Sequence, residues 1–303
     1  HRDLHLSIRR QRQMCIRDRY SQVKDDQFDK PSEASMIKVD LKNDRYFFTA
    51  GQHRVDKDFH PALGFVQRND MVGTGAIMGF TPRVGNGEEL IRQMRYTLYV
   101  RDVKNLEGLS ETSIINGGID AVFESRDRIG LKIIQENEKL SNSFTLGNGL
   151  EIQKGNYRDR KISLNARTNQ SRGYWGNFAI SKGDYFGGDK TSWNTSIGKQ
   201  FSNHLTLYGS ANQNIISMPN QGEFTANIYG FTAEVALNKR WFGKGLIQYD
   251  NFSNQLQFYC RVNWIHTPGS DLFIVINKLY DMSGGSNGSV SYTHLTLPTN
   301  REV

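Results

Sequence analysis

The chain has little cysteine, little proline and no long hydrophobic run. Of its 303 residues two are Cys and six are Pro. Cys15 lies in a terminal stretch set aside below, so Cys260 stands alone. A lone cysteine excludes a disulfide within the chain and a cysteine-based zinc site. No apolar run approaches the ~20 residues of a membrane helix. That absence says nothing against a membrane β-barrel, whose strands hide their apolar face in an alternation. Convincing helical periodicity is missing too, which speaks against an intracellular α/β enzyme. What the chain does have is 29 Gly, 13 Tyr, 17 Phe and 4 Trp. That bias suits an all-β protein with many turns and aromatic girdles.

The two ends carry a different kind of signal. Arg9–Arg19 reads RRQRQMCIRDR and Val290–Asn300 reads VSYTHLTLPTN. One permitted back-translation of the first, reverse-complemented and read one base in, encodes Val290–Thr299. Two unrelated protein termini have no reason to be related in this way, and the DNA string resembles a transposase adapter used in sequencing libraries. Residues 1–19 and 290–303 are therefore expected to be translated adapter, outside the reasoning about fold. Their removal takes seven of the 38 basic and three of the 31 acidic residues, so the formal charge falls from +7 to +3. A basic arm for nucleic acid is excluded with them.

Residues 20–289 are expected to form one β-domain. From Glu223 to Asp281 polar and apolar residues alternate between short turns rich in Gly, Asn, Ser and Pro. Phe231, Ala233, Val235 and Leu237 fall on one face, Thr232 and Glu234 on the other. Leu256, Phe258, Cys260, Val262 and Trp264 repeat the pattern against Gln257, Arg261 and Asn263. The same period of two recurs from Ile37 onward, and Asn137–Asn156 reads as a long loop with one strand at most. About fifteen strands joined by hairpins predict an antiparallel up-and-down meander, a transmembrane β-barrel in part or whole. A soluble β-sandwich also alternates. Against it stand the number of strands and the Lys, Arg, Glu and Asn at the centre of the polar face. Aromatics near strand ends (Tyr46, Tyr96, Trp175, Tyr208, Tyr229, Trp241, Tyr249, Trp264) add the placement of interface girdles.

Four phrases carry a resemblance: FHPALGFVQR (Phe59–Arg68), GDYFGG (Gly183–Gly188), GLIQYDNFSNQ (Gly245–Gln255) and RVNWIHTPGSDLFIVINK (Arg261–Lys278). In this order they resemble the domain-of-unknown-function family 5916. The resemblance implies a bacterial outer-membrane β-barrel, often preceded by a family 9-type carbohydrate-binding module, and further strands upstream of this chain.

The chemistry-bearing patterns are sparse. His53 and His60 flank a loop without the clustered Asp, Glu or His of a metal site, and no Ser-His-Asp set or phosphate loop stands out. The chain is therefore expected to be no enzyme and to hold no metal or cofactor. In the loop, Pro61 fixes the backbone and Gly64 permits close approach. Phe59, Leu63 and Phe65 are candidates to pack into a plug or barrel mouth, with Arg68 paired to a carboxylate. Phe59, His60, Pro61, Gly64, Phe65 and Arg68 are thus the candidate contacts. The expected partners are the outer-membrane lipid bilayer and small saccharides, with no nucleic acid. The expected role is a solute channel or a membrane anchor linked to carbohydrate use. The alternative is the barrel anchor of a surface glycan-binding or glycan-degrading protein whose active module lies upstream.

Overall fold

The computed structural model describes residues 13–24, 31–61, 64–84, 89–146, 149–267, 270–283 and 290–296. Leu63 and the outer parts of both adapter-like ends (residues 1–12 and 297–303) lie outside them. Every regular element among the described residues is a strand. They run β1 (Gln13–Val23), β2 (Ser32–Lys42), β3 (Tyr46–Val55), β4 (Met71–Phe80), β5 (Ile91–Lys104), β6 (Ser110–Phe123) and β7 (Arg128–Leu140). A small hairpin follows, β8 (Phe144–Thr145) with β9 (Glu151–Ile152). Then come β10 (Gly155–Arg167), β11 (Tyr174–Tyr185), β12 (Gly188–Ser202), β13 (Leu205–Met218), β14 (Gly222–Ala236), β15 (Trp241–Asp250), β16 (Gln255–Thr267), β17 (Ser270–Asp281) and β18 (Val290–Thr296). Apart from β8 and β9, the strands form one ladder in chain order, an all-β antiparallel up-and-down meander.

The chain divides into two compact units. The first comprises residues 1–124, 132–143 and 153–160, and the second residues 125–131, 144–152 and 161–303.

Local chemistry sets the hairpins. Asn43 accepts hydrogen bonds at Oδ1 from the backbone of Arg45 (2.8 Å) and Tyr46 (2.7 Å), closing the β2–β3 turn. Asn238 does the same for Arg240 and Trp241 before β15. Such side-chain-to-backbone bonds are why Asn favours turns. The GDYFGG phrase is a two-residue hairpin. Phe186 (φ 47°) and Gly187 (φ 84°) both take the left-handed conformation that a tight β-hairpin requires. Gly188 then lets β12 pass close to β13, since a Cβ there would lie 2.2 Å from the Ser217 carbonyl.

The alternation becomes two distinct faces. In the first unit, register places Phe80 opposite Tyr96, Met78 opposite Leu98 and Val100 opposite Ile115. In the second it places Tyr229 opposite Tyr249 and Phe231 opposite Ile247. Leu98, Ile115, Ile119, Ile162, Leu164, Ile197, Phe231 and Ile247 all lie exposed on this apolar face. The buried apolar residues, by contrast, are few and cluster beside loops. Among the described residues they are Phe59, Met71 and Val103 in the first unit, and Leu150, Ile152, Ile216, Met218 and Phe224 in the second. The hydrophobic side chains that a soluble sandwich would pack between two sheets are left facing outward.

Two sequence expectations change here. Asn137–Asn156 contains a continuation of β7, the β8–β9 hairpin and the start of β10. Leu150 and Ile152 are buried, and Glu151 is held to Gln221 by two hydrogen bonds. Burial of two residues overrides the polar composition that reads as loop. The adapter-like ends also enter the ladder: β1 pairs with β2 and β18 with β17. An unpaired strand edge accepts any extended segment, because the bonds are made by backbone and not by side chains.

Candidate functional site

The loop between β3 and β4 carries all six candidate residues, and its base is tied at several points. The Glu33 backbone N–H donates to Asp56 (3.0 Å), and the Asp56 N–H donates to the Glu33 carbonyl (2.9 Å). Ser32 reaches the Asp58 carbonyl, Asn69 the Lys57 carbonyl, and the Leu106 N–H donates to Asp70. Asp70 itself adopts φ 52°, which turns the chain into β4.

Within that frame the six residues separate. Phe59 is 4 % exposed and is the loop's apolar anchor, whereas Phe65 is 90 % exposed. Only the first of these two packs, which corrects the expectation for Phe65. Phe59 directly follows residues 56–58, which are tied to Glu33, Asn69 and Ser32. The Gly64 N–H donates to the Pro61 carbonyl at 3.4 Å, and a Cβ on Gly64 would stand 3.2 Å from the Pro61 ring. His60 is exposed beside Asn69, 3.4 Å from its amide nitrogen. Arg68 forms an ion pair with Glu111 at the start of β6. His53 is not brought to His60 in a shared site. It lies across from Gly73 on β4, where a Cβ would meet its ring at 2.2 Å.

The larger polar surface is the face of the ladder opposite the apolar one. In the first unit Asp40 bonds Lys38 (3.1 Å) and accepts from Thr49 (2.6 Å). In the second, Asn177, Asn194 and Asn212 hydrogen-bond in series across β11, β12 and β13, and Ser192 donates to Asn214 (2.8 Å). Tyr208 donates to Glu234 at 3.3 Å and Lys244 bonds the same carboxylate at 2.9 Å.

Trp175 and Tyr208 belong to this polar face and not to an aromatic girdle, a second correction. Their rings meet edge to face at 5.5 Å, and Trp175 fills the space that Gly198 leaves beside it. The aromatics of the apolar face do form ladders: Tyr46 stacks on Phe80 and Phe80 on Tyr96, and Trp241 stacks on Trp264.

The polar-face cluster is where sequence reasoning fell short. Alternation already puts Glu234, Arg261 and Asn263 on the polar side of their own strands. Which of them meet is set by register between strands, and no signal within one strand carries that.

No family model and no curated protein sequence matches the chain. Among solved structures it is similar to OmpT (in-vitro folded), an outer membrane protein of Vibrio cholerae. The TM-score is 0.38 and the identity 9 %, over 94 % of this chain and 92 % of that one. At that identity the likeness concerns the fold alone. The expectation of no enzyme rested on the absence of a catalytic pattern alone, and a fold by itself does not decide between catalyst and channel. The non-enzymatic expectation is withdrawn.

Proposed function

We propose that residues 20–289 belong to an outer-membrane β-barrel whose polar face lines a route for a small solute. The observation that carries this reading is the exposed apolar face. Isoleucines, leucines and phenylalanines stand outward on strand after strand, while Lys, Arg, Glu and Asn occupy the other side. Shielding a large apolar side chain from water stabilises by about 1.5–3 kcal/mol when it is complete. A lipid bilayer supplies that along the whole face. Strands such as β5 (14 residues) and β12 (15 residues) exceed the ~9–11 residues needed to cross a bilayer with tilt.

The solute class rests on the resemblance to family 5916 and its carbohydrate-binding module, which makes a small saccharide the favoured cargo. The buried Phe59 in its tied loop and the buried Leu150 and Ile152 of the β8–β9 hairpin favour a second reading. There the polar face is closed off and the barrel anchors a glycan-binding or glycan-degrading module lying upstream.

Electrophoresis from detergent, heated and unheated, tests the membrane reading. A heat-dependent shift is expected, and a water-soluble product without the shift would overturn it. Swelling of proteoliposomes in small sugars then separates the two roles, since flux supports the channel and its absence in a shifted, closed barrel supports the anchor.

A further inference from the structure

We infer that the second unit holds a binding site for a small solute bearing an oxyanion, a carboxylate or phosphate, centred on Arg261. The site is a cavity of about 540 Å³ lined by β13 to β16 and by Asn203 and His204 of the turn before β13. Thr206, Glu234, Lys244, Tyr259, Arg261 and Asn263 are its polar strand residues. Register sets Glu234 opposite Lys244, and Lys244 opposite Arg261. Two cations thus stand side by side on one face, and among the described residues only Lys244 of the two has a carboxylate bonded to it.

The one carboxylate of the cavity wall is already used. Glu234 bonds Lys244 through Oε1 and accepts from Tyr208 through Oε2. Arg261 makes no ion pair among the described residues. Its Nε donates to the side-chain oxygen of Asn263 at 2.8 Å, and its guanidinium lies 4.6 Å from the centre of the Phe273 ring. Asn263 is 5 % exposed. The guanidinium is therefore held at one nitrogen and stacked on one face, with its two terminal nitrogens left to donate. That is the fork a carboxylate or phosphate accepts with two parallel hydrogen bonds. Lys244 across the ladder adds a second positive charge. Asp271, on the neighbouring β17, does not line the cavity.

The site lies wholly within the second unit, and probe binding is read separately from whether the apolar face meets lipid. The test is fluorine NMR of the ligand with the full chain refolded in detergent. The probes are 4-fluorobenzoate for the carboxylate arm and monofluorophosphate for the phosphate arm. Saturable line broadening is expected with at least one, and whichever probe binds identifies the source of the oxyanion. R261Q should weaken it at least about tenfold, the loss of charge-assisted hydrogen bonds. E234Q should tighten it several-fold by freeing Lys244, a gain that misfolding does not produce. R45Q, in the β2–β3 turn and outside the cavity wall, should bind as the parent does. No saturable broadening with either probe, or R261Q binding like the parent, would overturn the proposal.

Discussion

At Gly198 the ladder leaves no room for a side chain, because a Cβ would lie 2.4 Å from the Trp175 ring. Trp175 in turn packs on Tyr208, so it has little freedom to withdraw. Gly198→Ala is expected to destabilise by about 1–3 kcal/mol, the usual range for overpacking. Gly209→Ala is the control: nothing stands within 4 Å of its Cβ, and the change should be neutral or slightly stabilising. Urea unfolding midpoints in detergent read both. Asp127, in the turn between β6 and β7, gives a pH signature. The Ser125 hydroxyl (2.7 Å), the Asn169 N–H (2.9 Å) and Arg172 (3.0 Å) hold its carboxylate below the ordinary aspartate range. A depressed folded value means that Asp127 stabilises fully above the unfolded pKa of about 3.9. That contribution fades as the pH falls through the folded value. Asp127→Asn should therefore narrow its stability gap to the parent on acidification from pH 6 to pH 3.

At the scale of elements, the β3–β4 loop is held by one buried ring and a ring of hydrogen bonds at its base. Phe59→Ala removes the buried ring and should cost about 3–5 kcal/mol of local packing. The loop should then open to protease between residues 56 and 70 while the strands stay intact. Phe65→Ala should leave the cleavage pattern unchanged, given its exposure. Equal protection of the two variants would show that Phe59 does not anchor the loop. The β8–β9 hairpin works in the same way in the second unit, where Ile152 and Leu150 are buried and Gln221 bonds Glu151 on both sides.

For the whole molecule, the decisive quantity is what covers the apolar face. Phe231 stands exposed there between Gly209 and Ile247. Phe231→Arg on a lipid-facing strand should cost about 2–4 kcal/mol near the bilayer midplane. On a water-facing sheet an exposed substitution stays within about 0.5 kcal/mol. Refolding into lipid vesicles against a urea gradient distinguishes the two, and a negligible effect would count against the membrane. The ends give a separate prediction. Deleting residues 1–19 and 290–303 should leave the thermal unfolding of the remaining strands unchanged, because β1 and β18 join the ladder only at its two outer strands.

The alternation of Phe231, Ala233 and Val235 against Thr232 and Glu234 was enough to determine strands, faces and an antiparallel meander. Side chains on a strand point alternately to either side, so this information is local. Short turns rich in Gly, Asn, Ser and Pro were legible for the same reason, and the structure shows Asn43 and Asn238 each capping its own hairpin. Lys190 and Asn214 extend β12 and β13 although such residues look like loop, because both lie on the polar face. What tertiary structure alone decided is everything that passes between strands. Trp175 and Tyr208 meet on the polar face beside Gly198 because register brings those three together. Leu150 and Ile152 became core because their hairpin is tied through Glu151 to Gln221, in the turn between β13 and β14. Arg261 came to face Lys244 through pairing of β15 with β16. Register is fixed by two whole faces and their turns acting at once, so no window of sequence contains it.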